Sequence, residues 1–369
     1  MNRIQFEAIG GDWIDPPLLM PAAIPLELSG ENIRNRLITS SDVSGDELAL
    51  RPDLTLAVVR HFIESGDEAP VSYRYFGRAF RQPVLEGEPI EFDQTGFEIL
   101  GDQDLLDANI RTLGTICEEV AAAGIRDAQL YVGDVSIFSH VVRALGLSRA
   151  WQLRLSRAFR RREGVRSLLS TSAGNEQHSQ LAETLSGLPA DKAAALLDEV
   201  MSFSSSGVFG GRSPDEILER LRARADALSE QQLPDEAAAV LSQLIDIKGP
   251  PSVFLAQLRD LGSDASLDLS DIIERTEAFF SGLEQRRIPF WQQAHVSIQF
   301  GRRFDYYDGL VFELCHTGLS SQRPLAAGGR YDGLVSWLSG HENTVSAVGG
   351  VVRPDRIERA LQLETETNA

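Results

Sequence analysis

Cysteine is nearly missing from this chain: there are two, Cys117 and Cys315, in 369 residues. Two thiols so far apart exclude a disulfide framework and a cysteine-based zinc site, and they fit a reducing compartment such as the cytoplasm. No apolar run approaches the roughly 18 residues that a membrane span needs, so no membrane partner is expected. The start, Met1 to Asp12, lacks the charged head and apolar stretch of a signal peptide. Internal repeats and low-complexity tracts are also missing. Basic residues are scarce, with 35 Lys+Arg against 54 Asp+Glu and a net charge of −19. Nucleic acid is bound by cations that release counterions, so this acidity argues against nucleic acid as the main ligand. The histidines, His61, His140, His178, His295, His316 and His341, show no ligand spacing, and neither a metal nor a cofactor is expected.

What is present is globular: 43% hydrophobic and 24% charged residues, in a length that allows two or three domains. Residues 1–145 read as mixed α/β. Pro16, Pro17, Pro21 and Pro25 punctuate an extended start, since proline is excluded from helix interiors. Asp53 to Glu64 reads as a helix with Asp53 as N-cap. Val71–Phe80 and Glu91–Leu100 alternate as strands of a long hairpin around a Gly/Pro/Glu loop. Asp104 to Gly124 carries helical apolar spacing. Residues 146–250 change character, with Ala, Leu and Arg dominant, and read as a helical insertion: Ala150–Arg162, Asp191–Met201, Pro214–Leu228 and Pro234–Ile245 all show helix-like periodicity. Its arginines, Arg154 to Arg166, are read as a solvated face. Residues 251–369 return to α/β, with a helix at Ser270–Gln285, strands at His295–Phe300 and Tyr306–Cys315, and a glycine-bearing strand and helix across Val345–Leu363 that Pro354 can start. The pair Gly328-Gly329 reads as a tight turn, since no P-loop lysine follows.

Chemistry-bearing residues gather in four stretches: Leu48–Thr55, Tyr73–Glu98, Gly301–Gly309 and Ala327–Gly333. They hold the acids Asp53 and Glu98, the polar Thr55 and Gln94, the arginines Arg81 and Arg302, and the tyrosines Tyr306, Tyr307 and Tyr331. Strand periodicity puts Gln94 and Glu98 on one face. An α-amino acid needs an anion for its ammonium, a guanidinium for its carboxylate and a shaped wall for its side chain, and this set can supply all three. On residue types alone, a solvated sheet face is the stronger reading of Gln94 and Glu98, and the tyrosines could be ordinary core with satisfied hydroxyls.

In this order, over nearly the whole chain, the stretches resemble the catalytic domain of class II histidyl-tRNA synthetases. Ile14–Leu28 is similar to the motif 1 region, Tyr73–Glu98 to motif 2, Arg302–Tyr307 and Gly328–Gly333 to the two histidine signatures, and Ala347–Leu361 to motif 3. The resemblance implies an α+β fold: an antiparallel sheet flanked by helices, with a helical insertion. It also implies a histidine pocket. Glu98, Gln94 and Asp53 (where the synthetase has glutamate) would hold the ammonium, helped by Thr55. Arg302 would meet the carboxylate. Tyr307 and Tyr331 would bracket the imidazole, with Tyr306 beside them. Arg81 and Arg356 would be remnants of an ATP site.

The departures point further. Phe80-Arg81 is followed by Gln82-Pro83 rather than the synthetase's acidic residue. The next loop carries Glu86, Glu88 and Glu91 where the synthetase is basic, and these would repel a triphosphate. Arg353-Pro354 stands where motif 3 has glycine. The chain stops at Ala369, soon after motif 3, so no anticodon-binding domain is expected. A histidine pocket without a complete ATP site resembles the regulatory subunits of ATP phosphoribosyltransferase. That resemblance implies a non-catalytic protein that assembles with a short catalytic subunit in the first step of histidine biosynthesis. The expected assembly is a hetero-octamer built on dimers of this chain, with free histidine as effector. The rival readings are a class II amino-acid-activating ligase and a tRNA-binding module of synthetase origin.

Overall fold

The computed structural model describes residues 4–28, 33–85, 87–160, 164–171, 233–300, 306–340 and 345–367. The chain forms two compact units, Met1–Val141 with Leu244–Ala369, and Val142–Gln243. The strands are β1 (Asp12–Ile14), β2 (Leu19–Pro21), β3 (Thr39–Ser41), β4 (Glu47–Leu50), β5 (Val71–Phe80), β6 (Glu91–Leu100), β7 (Ala128–Asp134), β8 (Lys248–Gly249), β9 (His295–Ser297), β10 (Leu310–His316), β11 (Ala326–Arg330) and β12 (Ala347–Val352).

In the first unit nine strands form one sheet in the order β1-β5-β6-β12-β11-β10-β7-β9-β8, and β2-β4-β3 form a small second sheet. Among the described residues β1 with β5 and β7 with β9 pair in parallel, and the other neighbours are antiparallel. The fold is therefore α+β with a largely antiparallel sheet. The β5–β6 hairpin keeps its register from Val71 opposite Leu100 to Phe80 opposite Glu91. Its β-branched and aromatic alternation makes this pair legible in the sequence.

Register also decides which residues share a face. Glu98 lies opposite Gly349, and Gly349 opposite Gly329, so these three point to the same side of the sheet. Gly350 points to the other side, where a Cβ would stand 2.7 Å from Ile116 of helix Leu105–Ala122. That helix, carrying buried Ile110, Leu113, Ile116 and Val120, covers this second face. Helix Ser270–Gln285 packs behind it, close enough that a Cβ on Gly282 would meet Ile110 at 2.3 Å.

Three local readings change. Gly328 and Gly329 lie inside strand β11, not in a turn. A Cβ at Gly328 would stand 2.4 Å from the Gly349 carbonyl oxygen, and one at Gly329 would stand 2.3 Å from that of Leu310. Close approach, rather than turn geometry, demands glycine here. Tyr306 and Tyr307 precede β10 instead of opening it. Helix Pro251–Asp264, with proline in its first turn, lies where no element was expected.

In the second unit helices Arg149–Arg160 and Gly164–Thr171 pack on each other, burying Trp151, Leu155, Phe159 and Val165. Arg154 lies over the Trp151 ring at 4.7 Å. Helix Asp235–Asp246 is present, whereas the segments 191–201 and 214–228 lie outside the described residues. Among the described residues no helix is long and apolar enough to cross a membrane.

Candidate functional site

On the alternating sequence of strand β6, Glu98 would be a solvated carboxylate; in the fold it is 1% exposed. Its surroundings come from four separate parts of the chain. Thr55, at the start of helix Thr55–Ser65, donates its hydroxyl to Glu98 Oε1 at 2.7 Å. Tyr75 of β5 donates to the same oxygen at 3.0 Å. Tyr331, after β11, donates to Oε2. Gly349 leaves room for the carboxylate, because a Cβ there would stand 1.5 Å from Oε2. Burial pushes the Glu98 carboxyl up to about 7, against the pull of these three hydroxyls, with the nearby Asp53 charge adding to the rise.

Asp53 is the second buried acid. Its Oδ1 accepts from the Leu56 backbone N–H at 3.0 Å in the first turn of the helix, although the N-cap position itself is Leu54 rather than the expected Asp53. Its Oδ2 is buried and has no hydrogen-bond partner among the described residues. Burial raises its pKa, and the neighbouring Arg81 guanidinium acts in the opposite direction. Gln94, also buried, accepts from the Leu54 N–H at 3.2 Å through Oε1. The helix start that carries Asp53 and Thr55 is thereby pinned to the strand that carries Glu98.

The aromatic wall is a three-ring cluster. Tyr306 and Tyr307 have centroids 4.8 Å apart, and Tyr331 lies 6.0 Å from the first and 6.5 Å from the second. Tyr307 lies against Gly329, where a Cβ would meet its ring at 2.9 Å. All three hydroxyls are held well above their ordinary pKa, first by burial and then by the Glu98 charge, with Asp53 adding to the rise for Tyr306 and Tyr307, so they stay protonated. The structure thus brings together Asp53, Thr55, Gln94, Glu98, Tyr306, Tyr307 and Tyr331. Thr55 serves Glu98 directly. Arg302 lies outside the described residues. Sequence reasoning misses Tyr75, although its place opposite Gly96 in the hairpin is an available signal: a Cβ at Gly96 would strike the Tyr75 hydroxyl at 2.5 Å.

The two arginines read as remnants of an ATP site stand apart in their contacts. Arg81 donates through Nε to the Pro52 carbonyl at 2.6 Å and lies over the Phe92 ring at 5.1 Å. Arg356 donates to the Pro324 carbonyl and to Glu88 Oε1 at 3.0 Å. The expectation that Glu88 and Glu91 form a repulsive negative loop is corrected: Glu88 pairs with Arg356, and Glu91 pairs with Arg78. Glu86 lies outside the described residues. Among the described residues no group of three or more His, Cys, Asp or Glu is arranged to hold a metal ion.

A mixed, largely antiparallel sheet flanked by helices is the class II synthetase-type fold. The comparisons with known proteins agree on that fold. The family model described as histidyl-tRNA synthetase matches residues 4–207 and 215–357. The "ATP phosphoribosyltransferase regulatory subunit" of Brucella anthropi is 32% identical over 352 residues, covering 94% of this chain and 92% of the relative. That of Rhizobium rhizogenes is 33% identical, covering 96% and 95%. Among solved structures, an ATP phosphoribosyltransferase regulatory subunit/histidyl-tRNA synthetase from Bacillus halodurans superposes with TM-score 0.60 at 21% identity, covering 96% of this chain and 76% of that one. Histidyl-tRNA synthetase from Nostoc superposes with TM-score 0.59 at 17% identity, covering 97% and 69%. The chain belongs to the histidyl-tRNA synthetase family and, within it, to the ATP phosphoribosyltransferase regulatory subunits.

Proposed function

We propose that this chain is the regulatory subunit of an ATP phosphoribosyltransferase in histidine biosynthesis, and that free histidine, its effector, binds in the Glu98 pocket. The observation that carries the pocket is the unpartnered, buried Asp53 Oδ2 beside the buried Glu98 carboxylate. Two buried acids carry more negative charge than the neighbouring Arg81 guanidinium offsets, and an α-ammonium supplies both charge and three hydrogen-bond donors. The tyrosine cluster offers flat faces and hydroxyls for an imidazole. Arg302 is assigned to the ligand carboxylate on the family resemblance alone.

In this reading the chain performs no aminoacylation. It assembles with a short catalytic subunit, as dimers within a hetero-octamer, and that partner is inactive without it. Histidine regulates by binding one arrangement of the assembly better than another, since a ligand with equal affinity for both shifts nothing. A coupling of roughly 1–3 kcal/mol is typical of such switches.

The test is calorimetric titration of free histidine into the chain alone and into the complex co-purified with the catalytic subunit. Binding that disappears in Glu98→Ala, with assembly intact and feedback weakened, is the expected result. No binding to either preparation overturns the pocket. Histidine-dependent pyrophosphate exchange by the chain would instead establish an amino-acid-activating ligase.

A further inference from the structure

The three tyrosines of the pocket come from two separate segments, Tyr306-Tyr307 before β10 and Tyr331 after β11. Asp308 ties these segments together by gripping the chain on both sides of Tyr331. Its backbone N–H donates to the Arg330 carbonyl at 3.1 Å. Its carboxylate accepts from the two residues that follow Tyr331: Oδ1 from the Asp332 N–H at 3.2 Å, and Oδ2 from the Gly333 N–H at 2.6 Å. Those two N–H groups open helix Asp332–Leu338, whose N-cap position is Tyr331, and the Tyr331 side chain makes no cap bond. Asp308 thus brings, from another part of the chain, the acceptors that this helix start lacks.

The contacts continue beyond Asp308. Asp332 Oδ1 accepts from the Arg330 guanidinium at 3.0 Å and from the Ala347 N–H at 2.7 Å. The buried Arg330 also donates to Asn109 Oδ1 at 3.0 Å and to the Leu105 carbonyl at 3.1 Å. The Tyr331 N–H itself donates to the Ala347 carbonyl at 2.8 Å. The chain around Tyr331 is therefore held by β12 on one side and by Asp308 on the other. Burial pushes the Asp308 carboxyl up to about 6, with the Asp332 charge adding to the rise, while the Gly333 and Asp332 N–H groups and Arg330 pull it down. At neutral pH the carboxylate is ionised, and hydrogen bonds to an ionised acceptor are the stronger kind.

We propose that Asp308 is a positioning residue of the histidine pocket: its carboxylate locks the chain at Asp332 and Gly333 to the Tyr306-Tyr307 segment, so that the three rings and the Tyr331 contact to Glu98 are set as one unit. This rests on the reading of the Glu98 pocket as the histidine site. Asp308 touches no ligand in this scheme and acts through Tyr331, because groups that line a binding site hold their geometry only when neighbours lock them.

The test uses the full chain as wild type, Asp308→Ala, Asp308→Asn, Tyr331→Phe and Asp308→Ala/Tyr331→Phe, with histidine titrated calorimetrically into each and Glu98→Ala as the control for the pocket. Asp308→Ala is expected to weaken histidine binding about tenfold or more. Asp308→Asn, which keeps one acceptor oxygen, should fall between Asp308→Ala and wild type. In the double variant the loss should be clearly smaller than the product of the two single losses, because both act on the same contact to Glu98. Hydrogen exchange without histidine supplies a readout that does not depend on the ligand: Asp308→Ala should speed exchange in Tyr306–Leu314 and Tyr331–Leu338 together and leave Leu105–Ala122 unmoved. Unchanged exchange overturns the brace. Faster exchange with unchanged histidine affinity, or losses that simply multiply, overturns the positioning role while the pocket stands. Histidine binding that survives in Glu98→Ala, or no binding by wild type, overturns the pocket reading itself and the positioning role with it.

Discussion

Replacing Glu98 by glutamine separates what this residue does for the ligand from what it costs the fold. Burial lifts its carboxyl from an ordinary 4.5 to about 7. At 1.36 kcal/mol per pH unit, that difference corresponds to about 3 kcal/mol. Between pH 4.5 and 7 the folded chain keeps a proton that the unfolded chain has released. This group's contribution to stability is therefore greatest below about pH 4.5, falls as pH rises, and reaches its minimum above 7. Glutamine has nearly the same shape, still accepts from Thr55 and Tyr75 through its amide oxygen, and cannot ionise. Opposite the amide nitrogen, the Tyr331 hydroxyl needs only to rotate and accept.

The variant is therefore expected to be more stable than wild type by up to about 3 kcal/mol near pH 8, with the advantage vanishing near pH 4.5. Urea unfolding across this range, plotted as the difference between the two chains, isolates Glu98. The other acids with raised pKa values, Asp53, Glu119, Asp134 and Asp308, are common to both. The same substitution removes the anion that faces the ligand's ammonium, so histidine affinity is expected to fall on the order of 100-fold. A flat difference curve refutes the burial argument, and unchanged histidine affinity refutes the placement of the ligand.

Other outcomes follow from single contacts. Histidine binding to wild type should weaken below about pH 7 and release protons at neutral pH, because the ammonium favours the ionised Glu98; titration in buffers of different ionisation enthalpy measures this. Gly349→Ala should abolish histidine binding and destabilise by about 1–3 kcal/mol or more, since its Cβ would overlap Glu98 Oε2 at 1.5 Å; melting and titration together check it. Arg51→Met should lower unfolding free energy on the order of 3–5 kcal/mol. The Arg51 guanidinium, 1% exposed, donates to the carbonyls of Arg78 and Pro16, and methionine leaves them unpaired; urea unfolding measures the loss.

Particular elements show why some of this was legible in the sequence. The β5–β6 hairpin announces itself through alternation over ten residues per strand, and that alternation alone puts Gln94 and Glu98 on one face. The helix after Asp53 is marked in the sequence by that acid, whose side chain accepts from the first turn, although the helix begins a residue later than expected for an Asp53 cap. What escapes needs long-range register. Gly328 and Gly329 look like a turn locally and become a strand only because β10 and β12 crowd them from both sides. Tyr75 reaches Glu98 only because Gly96 lies opposite it. The acidity of the loop after Arg81 is visible in the sequence. That Glu88 meets arginines at positions 36, 323 and 356 is not, because no local pattern encodes contacts over such separations.

Two charged sites obey one rule, that a sheltered charge must find a counter-charge. At Glu88 the chain supplies both halves itself. At Asp53 and Glu98 hydroxyls and one backbone N–H stabilise the carboxylates and the neighbouring Arg81 guanidinium offsets part of the Asp53 charge, while Oδ2 of Asp53 has no hydrogen-bond partner among the described residues. An unsatisfied buried polar atom costs roughly 1–3 kcal/mol, more when charged; any entering donor relieves part of that penalty, and an ammonium relieves most because it also brings a positive charge. In the proposed pocket, preference for a small cationic amino group follows from what the fold leaves unsatisfied at Asp53 Oδ2. Neither site can be read from the net charge of −19, which has the wrong sign for the Glu88 cluster and says nothing of the depth at which Glu98 is held.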